Sequence, residues 1–275
     1  MIVTSETVIG RIACARGNGE SLSDLAGRAV DALGADPAEV GGVIAATFSN
    51  PERFPSLAVR LASRLGLPPE TPAFDLQMAC SAYPYALYLA GKIAADTGRH
   101  VIVVDGDVQS PLVDPSDHAT GAIFSDAVTA SLVRSGTGRT SKWAFLSRCD
   151  EALVCSAAGP IRMDGFKVFS FVATEVNRFL KDFLAASGAT PAFFAPHQAN
   201  PYMVRQLARS LSLEDRLLTL DESVRNPGSC SVALTLAAAA ERVAGAEVLV
   251  AGFGAGYSAA VGTVRTDDGF SGKVL

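Results

Sequence analysis

Three short stretches carry side chains suited to nucleophilic chemistry: MACSAYP around Cys80, APHQANP around His197 and VRNPGSC around Asn226. A cysteine attacks as its thiolate, a histidine moves protons near neutral pH, and an asparagine amide donates a hydrogen bond without titrating. Together they suit attack on a thioester carbonyl and stabilisation of charge developing on oxygen. Singly, each also reads as structure, since free Cys is a common small core residue. Cys80 and His197 are 117 positions apart (197 − 80), so only the fold can join them.

The elements around them repeat. GGVIAATFSNPERFPSLAVRLASRLGL (41–67) and PAFFAPHQANPYMVRQLARSLSL (191–213) both read as an apolar strand, an Asn-Pro loop and an amphipathic helix. TPAFDLQ through VVDGD (71–107) and RLLTLDE through VAGFG (216–254) both read as short strand, turn, apolar helix and β-branched strand. Each half ends on a hairpin partner, AVTASLV (127–133) or SAAVGTV (258–264), and 22–33 and 172–184 supply equivalent first helices. The order implies two similar α/β halves, 1–146 and 147–275, related by a pseudo-twofold axis with helices on the sheet faces. An offset of 146, taken from Leu65 and Leu211, places Asn226 opposite Cys80 across that axis, with His197 in the loop after the preceding strand.

The helix beginning near Ser81 aims free N–H groups and its positive dipole end at Cys80, which favours the thiolate. AGFGAGYS (251–258) lies between two strands, whereas a dinucleotide fingerprint opens a helix, so no nucleotide cofactor is expected. That turn brings a backbone N–H, from Ala255, beside the Cys80 N–H as an oxyanion hole.

Composition narrows the class. At 49% hydrophobic and 19% charged, with mean hydropathy +0.27, the chain is suited to elements buried on both sides. A net charge of −5 and no Lys/Arg run argue against a nucleic-acid surface. The most apolar run, VALTLAAAA (232–240), is far shorter than the roughly 20 residues of a membrane span. MIVTSETVIGR lacks the pattern of a secretory signal, and five cysteines with no zinc-like spacing suit a reducing compartment, so the expectation is a cytoplasmic protein without a metal site.

MACSAYPYAL, IRMDGFKVF, PHQANPYMV, RNPGSCSVAL and GFGAGYS resemble, in order and spacing, the motifs of the β-ketoacyl-acyl-carrier-protein synthase III branch of the thiolase superfamily. The resemblance implies a thiolase-like fold layered as an α-β-α-β-α sandwich. It implies acylation of Cys80 by an acyl thioester, then decarboxylative condensation with a malonyl thioester. His197 and Asn226 would hydrogen-bond the enolate. It also implies a homodimer, in which Phe54 reaches into the partner's acyl pocket, and places Gly165 and Phe169 near the acyl and pantetheine channel. The carrier is an acyl carrier protein or coenzyme A. The chain departs from the family in lacking a recognisable first strand and TDEW-like segment, whose Trp holds the adenine of coenzyme A. Its single tryptophan is Trp143. RNPGSCS, GFGAG and IFSDAV also replace the usual turns, so the chain reads as an amino-terminally shortened, divergent member. Two other readings remain open at this point: a non-catalytic or half-active partner in a heterodimeric synthase, and acyl transfer to an alcohol, an amine or water with His197 as general base. Trp143 and the stretch 147–160 are candidates to cap the tunnel.

Overall fold

The computed structural model describes residues 1–275 apart from positions 115, 137, 139, 157 and 158 and the side chains at 118 and 119. The first part of the chain forms β1 (Val3–Ser5), β2 (Val8–Arg16), α1 (Leu22–Leu33), β3 (Val40–Ala46), α2 (Leu57–Arg64), β4 (Ala73–Leu76), α3 (Ala82–Thr97), β5 (His100–Asp107), α4 (His118–Gly121) and β6 (Ala127–Arg134). β7 (Ser141–Ser147) and a small hairpin, β8 (Leu153–Ser156) and β9 (Gly159–Met163), follow. Next, α5 (Gly165–Phe171) continues through a π turn at Val172–Val176 into α6 (Asn177–Ser187). β10 (Phe193–Pro196), α7 (Pro201–Ser210), α8 (Ser231–Ala238), α9 (Ala240–Val243), β11 (Glu247–Gly254) and β12 (Ser258–Val274) complete it.

One curled sheet runs β1-β7-β12-β2-β6-β5-β3-β4, with β11 also paired to β12 and β10 to β11. β12 makes the curl possible: its start pairs antiparallel with β11 and β7, and its end pairs parallel with β2 after a register shift between Thr266 and Ser271. A bulge of this kind bends a strand and lets it serve two sheet segments. β3 is buried along its whole length and β5 from its second residue on, which explains their continuous apolar reading.

Three core clusters separate the layers. α3 and α8 share one with Ile9, Ile44, Val103 and Val250, between the two halves of the curled sheet. α1 and α2 cover one outer face through Leu25, Val30 and Leu61. The α5–α6 helix and α7 cover the other through Phe171, Leu180 and Leu207. The layers are therefore helix, sheet, helix, sheet, helix, a thiolase-like α/β fold. α3 and α8 lie in the middle, so neither needs a polar face: Ser231 through Ala237 of α8 are all buried.

Several expectations change here. Val8–Arg16 forms a strand between β12 and β6, so the central place in the sheet is filled by residues in which no first strand was recognisable. The short strand expected after Arg216 is reduced to a single bridge, Phe194 with Leu217. β7 straddles the boundary at 146/147 and pairs with β1 and β12. Trp143 is fully buried, its Nε1 donating to Ser5 Oγ at 2.8 Å, and Gly262 leaves the space its ring fills. It is a core residue rather than a cap.

Candidate active site

Cys80 sits in a tight turn (Ala79–Ser81) between β4 and α3. Ala79, just before it, holds φ at 41°, a left-handed conformation that a non-glycine residue adopts only when its surroundings enforce it. Here the surroundings include two hydroxyls: Ser81 Oγ donates to Met78 O at 2.9 Å, and Ser258 Oγ lies 2.7 Å from Ser81 Oγ and 2.8 Å from Ala255 O, with one proton to give to either. Together they tie the cysteine turn to the 254–257 turn. Gly254 makes that approach possible, because a Cβ there would meet Cys80 Sγ at 3.1 Å and its Cβ at 2.9 Å. The backbone N–H groups of Ala255 and Cys80 both act on the sulfur.

The expected thiolate is not the resting state. Burial pushes the Cys80 thiol up to about 11, with Asp107 and Asp105 adding to the rise, and the two N–H groups only partly offset it. The helix N-terminus is present as expected, but desolvation of the charge outweighs it.

His197 follows β10 directly, held by its N–H to Ala251 O at 2.7 Å. Its Nδ1 lies 2.8 Å from Ser231 Oγ, which also accepts from the N–H of Gln198 at 3.1 Å. Burial lowers the imidazole from 6.5 to about 4, against a smaller opposing effect of the Gly228 backbone, so the ring is neutral at physiological pH. Phe253 meets it edge-on, with centroids 5.6 Å apart. Gln198 and Asn200 serve the loop. Gln198 Nε2 donates to Pro196 O and Leu218 O, and Asn200 caps α7 by accepting from Met203 N at 2.8 Å. Pro201 then opens the helix where no N–H is needed.

Asn226 is buried and stitched to the 123–125 segment: its N–H donates to Ile123 O at 3.0 Å and its carbonyl accepts from Ser125 N at 3.1 Å. IFSDAV thus pairs with the asparagine. Asn226 Oδ1 accepts from Gly228 N at 2.9 Å, which leaves the Nδ2 group, 3.5 Å from Ala199 O, to serve the cavity. The two halves align by helix start at Ala82 and Ser231, a spacing of 149 (231 − 82), so Ser229 rather than Asn226 is the counterpart of Cys80. The 146 offset fails here because the loops of the two halves differ in length.

One cavity of about 530 Å³ is lined by Cys80, His197 and Asn226 together, and also by Gly165 and Phe169. The structure therefore gathers these five candidates. It does not bring Phe54 to this wall: that side chain is 85% exposed. A second cavity of about 580 Å³ meets the first at Cys80, Phe124 and Leu153, and is also lined by Met78, Cys149, Ala255 and the hairpin residue Cys155. Part of the 147–160 stretch thus does border a cavity, while 157 and 158 lie outside the described residues. Sequence reasoning missed Ser231, Ser258 and Phe124. Ser231 stood inside a quoted motif, but a serine among small residues gives no sign of its partner.

The layered fold, the cysteine at a strand-to-helix turn and the facing glycine-rich turn define a thiolase-type condensing fold. Models of 3-oxoacyl-[acyl-carrier-protein] synthase III and of its C-terminal region match residues 74–150 and 187–266. A β-ketoacyl-[acyl-carrier-protein] synthase III of Rhodospirillum centenum is 31% identical over 90% of this chain and 85% of its own. One from Neisseria meningitidis is 28% identical over 87% and 82%. A 3-oxoacyl-(acyl-carrier protein) synthase from Burkholderia xenovorans superposes with a TM-score of 0.91 over 100% of this chain and 99% of its own, at 19% identity. The priming β-ketosynthase of a polyketide biosynthetic pathway superposes at 0.78 over 92% and 84%, at 26% identity. The chain belongs to the β-ketoacyl-acyl-carrier-protein synthase III family, and it is an acyltransferase of the condensing type. No described helix is long and apolar enough to cross a membrane.

Proposed function

We propose that the chain carries an acyl group on Cys80 and condenses it with a malonyl thioester, its halves 1–146 and 147–275 supplying the nucleophile and the two enolate donors respectively. The observation that supports this most is the shared cavity wall of Cys80, His197 and Asn226, with two backbone N–H groups at the sulfur. Cys80 Sγ attacks the thioester carbonyl while His197 Nε2 takes its proton. The oxyanion rests on the Cys80 and Ala255 N–H groups, and the carrier thiol leaves with the proton. A malonyl thioester then loses carbon dioxide, and the enolate oxygen receives hydrogen bonds from His197 Nε2–H and Asn226 Nδ2–H. Its carbon attacks the acyl-Cys80 carbonyl, and the cysteine leaves as thiolate and is reprotonated.

The two steps need opposite tautomers of His197. The Ser231 hydroxyl can accept from Nδ1–H, leaving Nε2 free to take a proton, or donate to Nδ1, leaving Nε2–H to serve the enolate. Neutral donors in a dry pocket suit the second step, since each is worth about 3 kcal/mol to a developing oxyanion.

The cavity lined by Gly165 and Phe169 suits the pantetheine arm, and the second cavity suits the acyl chain. Because Trp143 is in the core, it cannot hold an adenine at the mouth, which favours a carrier protein over coenzyme A as donor. β4 is one free edge of the sheet, and Phe54 and Phe74 are exposed there, a surface suited to a second copy whose cavity Phe54 would complete. Light scattering of the purified chain should report a dimer.

Intact-protein mass spectrometry with an acyl thioester should show one acyl adduct that disappears in Cys80→Ala, and a malonyl thioester should then release carbon dioxide. An adduct without carbon dioxide release would replace condensation with simple acyl transfer.

A further inference from the structure

β5 carries two aspartates that the reaction above does not use. Asp105 and Asp107 are both fully buried and, two positions apart on a strand, lie on one face. Asp107 holds a loop in place: its Oδ1 accepts from Thr47 Oγ1 and from the N–H groups of Phe48 and Ser49, at 2.7, 2.9 and 3.1 Å. Among the described residues the Asp105 carboxyl accepts one hydrogen bond, from Ser229 Oγ to its Oδ1 at 2.5 Å. The Oδ2 of each carboxyl has no partner among the described residues.

Ser229 is the middle of the Gly228–Cys230 turn that leads into α8. On one side, Gly228 N–H holds Asn226 Oδ1 at 2.9 Å. On the other, Ser231 Oγ holds His197 Nδ1 at 2.8 Å. The segment 226–231 thus bears one enolate donor and the hydroxyl beside the other; the other half of the molecule holds it at Asn226 through Ile123, Ser125 and Gln109, and at its middle through Asp105 on Ser229 and Ala127 O on the Cys230 thiol. The thiol tie is the weaker of the two at the middle, since Cys230 Sγ is shared between Pro227 O and Ala127 O, at 3.1 and 3.4 Å. A lone buried carboxyl is a poor stabiliser, since the desolvation it suffers is not repaid by a cation. Burial indeed drives Asp105 well above the usual carboxylate range, against the opposing effect of Ser229.

We propose that Asp105 is a positioning residue for the condensing step: through Ser229 it fixes the turn that sets the Asn226 amide and the Ser231–His197 pair at the enolate. The proposal rests on the reading of that site as a condensing one. Acylation of Cys80 uses His197 only to take a proton and needs no enolate donor, and its oxyanion hole has its own anchor in Ser81 and Ser258, so the condensing half-reaction should lose more than acylation when the tether is cut.

The test measures both half-reactions in the full chain. In Ser229→Ala, carbon dioxide release from a malonyl thioester should fall about 10-fold to 100-fold, as small misplacements do, while Cys80 acylation falls several-fold less. Asp105→Asn, which keeps an oxygen facing Ser229, should restore most of the rate relative to Asp105→Ala. The Asp105→Ala/Ser229→Ala double variant should be no worse than either single, because both cut one bond. Equal losses in both half-reactions, or multiplying losses in the double variant, would overturn the proposal. Should Ser229→Ala fold poorly, Asp105→Asn against Asp105→Ala gives the same comparison. If the unaltered chain takes an acyl group but releases no carbon dioxide, the condensing reading fails by itself. The tether is then read from the 15N-histidine spectrum, with His197 assigned by its loss in His197→Gln: an unmoved His197 signal in Ser229→Ala rejects it, and a shifted one supports it.

Discussion

The turn before α3 and the turn before α8 stand at equivalent places in the two halves, and the strand ends facing them differ. The turns match closely: Ala79 and Gly228 both have positive φ, at 41° and 74°, two residues after Gln77 and Asn226 respectively. β5 and β11 are both eight residues long, so Asp105 and Asp107 stand where β11 has Gly252 and Gly254. The glycines let Cys80 approach: a Cβ on Gly252 would meet the Cys80 carbonyl at 2.9 Å, and one on Gly254 would meet its sulfur at 3.1 Å. The aspartates do the reverse, occupying that space and holding Ser229 and the 47–49 loop. One half therefore opens a cavity beside its partner's turn, and the other half fills it with hydrogen-bonded carboxyls. Two side chains per strand thus separate the turn that glycines approach from the turn that carboxyls hold.

Three substitutions and one pH series break that comparison in decreasing measure. Gly254→Ala fills the open side: acylation of Cys80, followed by adduct mass, should fall by about 10²-fold or more, because the added methyl displaces the turn that supplies the Ala255 N–H. Asn226→Ala leaves acylation intact but removes an enolate donor, and carbon dioxide release should fall by about 10²-fold. Asp107→Ala empties the filled side: three donors lose their acceptor, and denaturant unfolding should show about 2–4 kcal/mol lost, with Cys80 still acylated in the folded fraction.

The pH series compares the two buried sets of groups. His197 has its folded pKa lowered from 6.5 to about 4, so between these values the unfolded chain binds a proton that the folded chain does not. Stability should fall as pH drops through that window, and His197→Gln should flatten the fall in thermal melts. Asp105 has its folded pKa raised above 3.8, so the folded chain holds the extra proton, and its contribution is lost as pH rises through the raised value. Asp105→Asn should remove that opposite slope.

Much of the site was legible because its residue types are uncommon in their settings. His197 stood after an apolar run and before an Asn-Pro helix start, and both elements formed there. Gly254 and Ala255 stood in a turn between two strands, and the close approach to Cys80 explains the glycine. What misled was counting. An offset read from Leu65 and Leu211 pairs Cys80 with Asn226, but loop lengths differ between the halves and the helix starts pair it with Ser229. Val8–Arg16 also escaped, since β2 alternates little and takes its partners from β6 and the far end of β12. The state of Cys80 was misjudged for a third reason: a helix N-terminus can be read from a sequence, whereas the desolvation that outweighs it cannot.

The sequence by itself determined the duplicated α/β order, the turn chemistry and the types of the reacting groups, because periodicity, Gly and Pro placement and side-chain pKa classes act over a few residues. Only the tertiary structure decided which turn faces glycines and which faces aspartates, that Ser231 Oγ lies against the imidazole, and that Trp143 belongs to the core. Each depends on which strands the curl of β12 brings together across more than a hundred residues, and no local pattern encodes that.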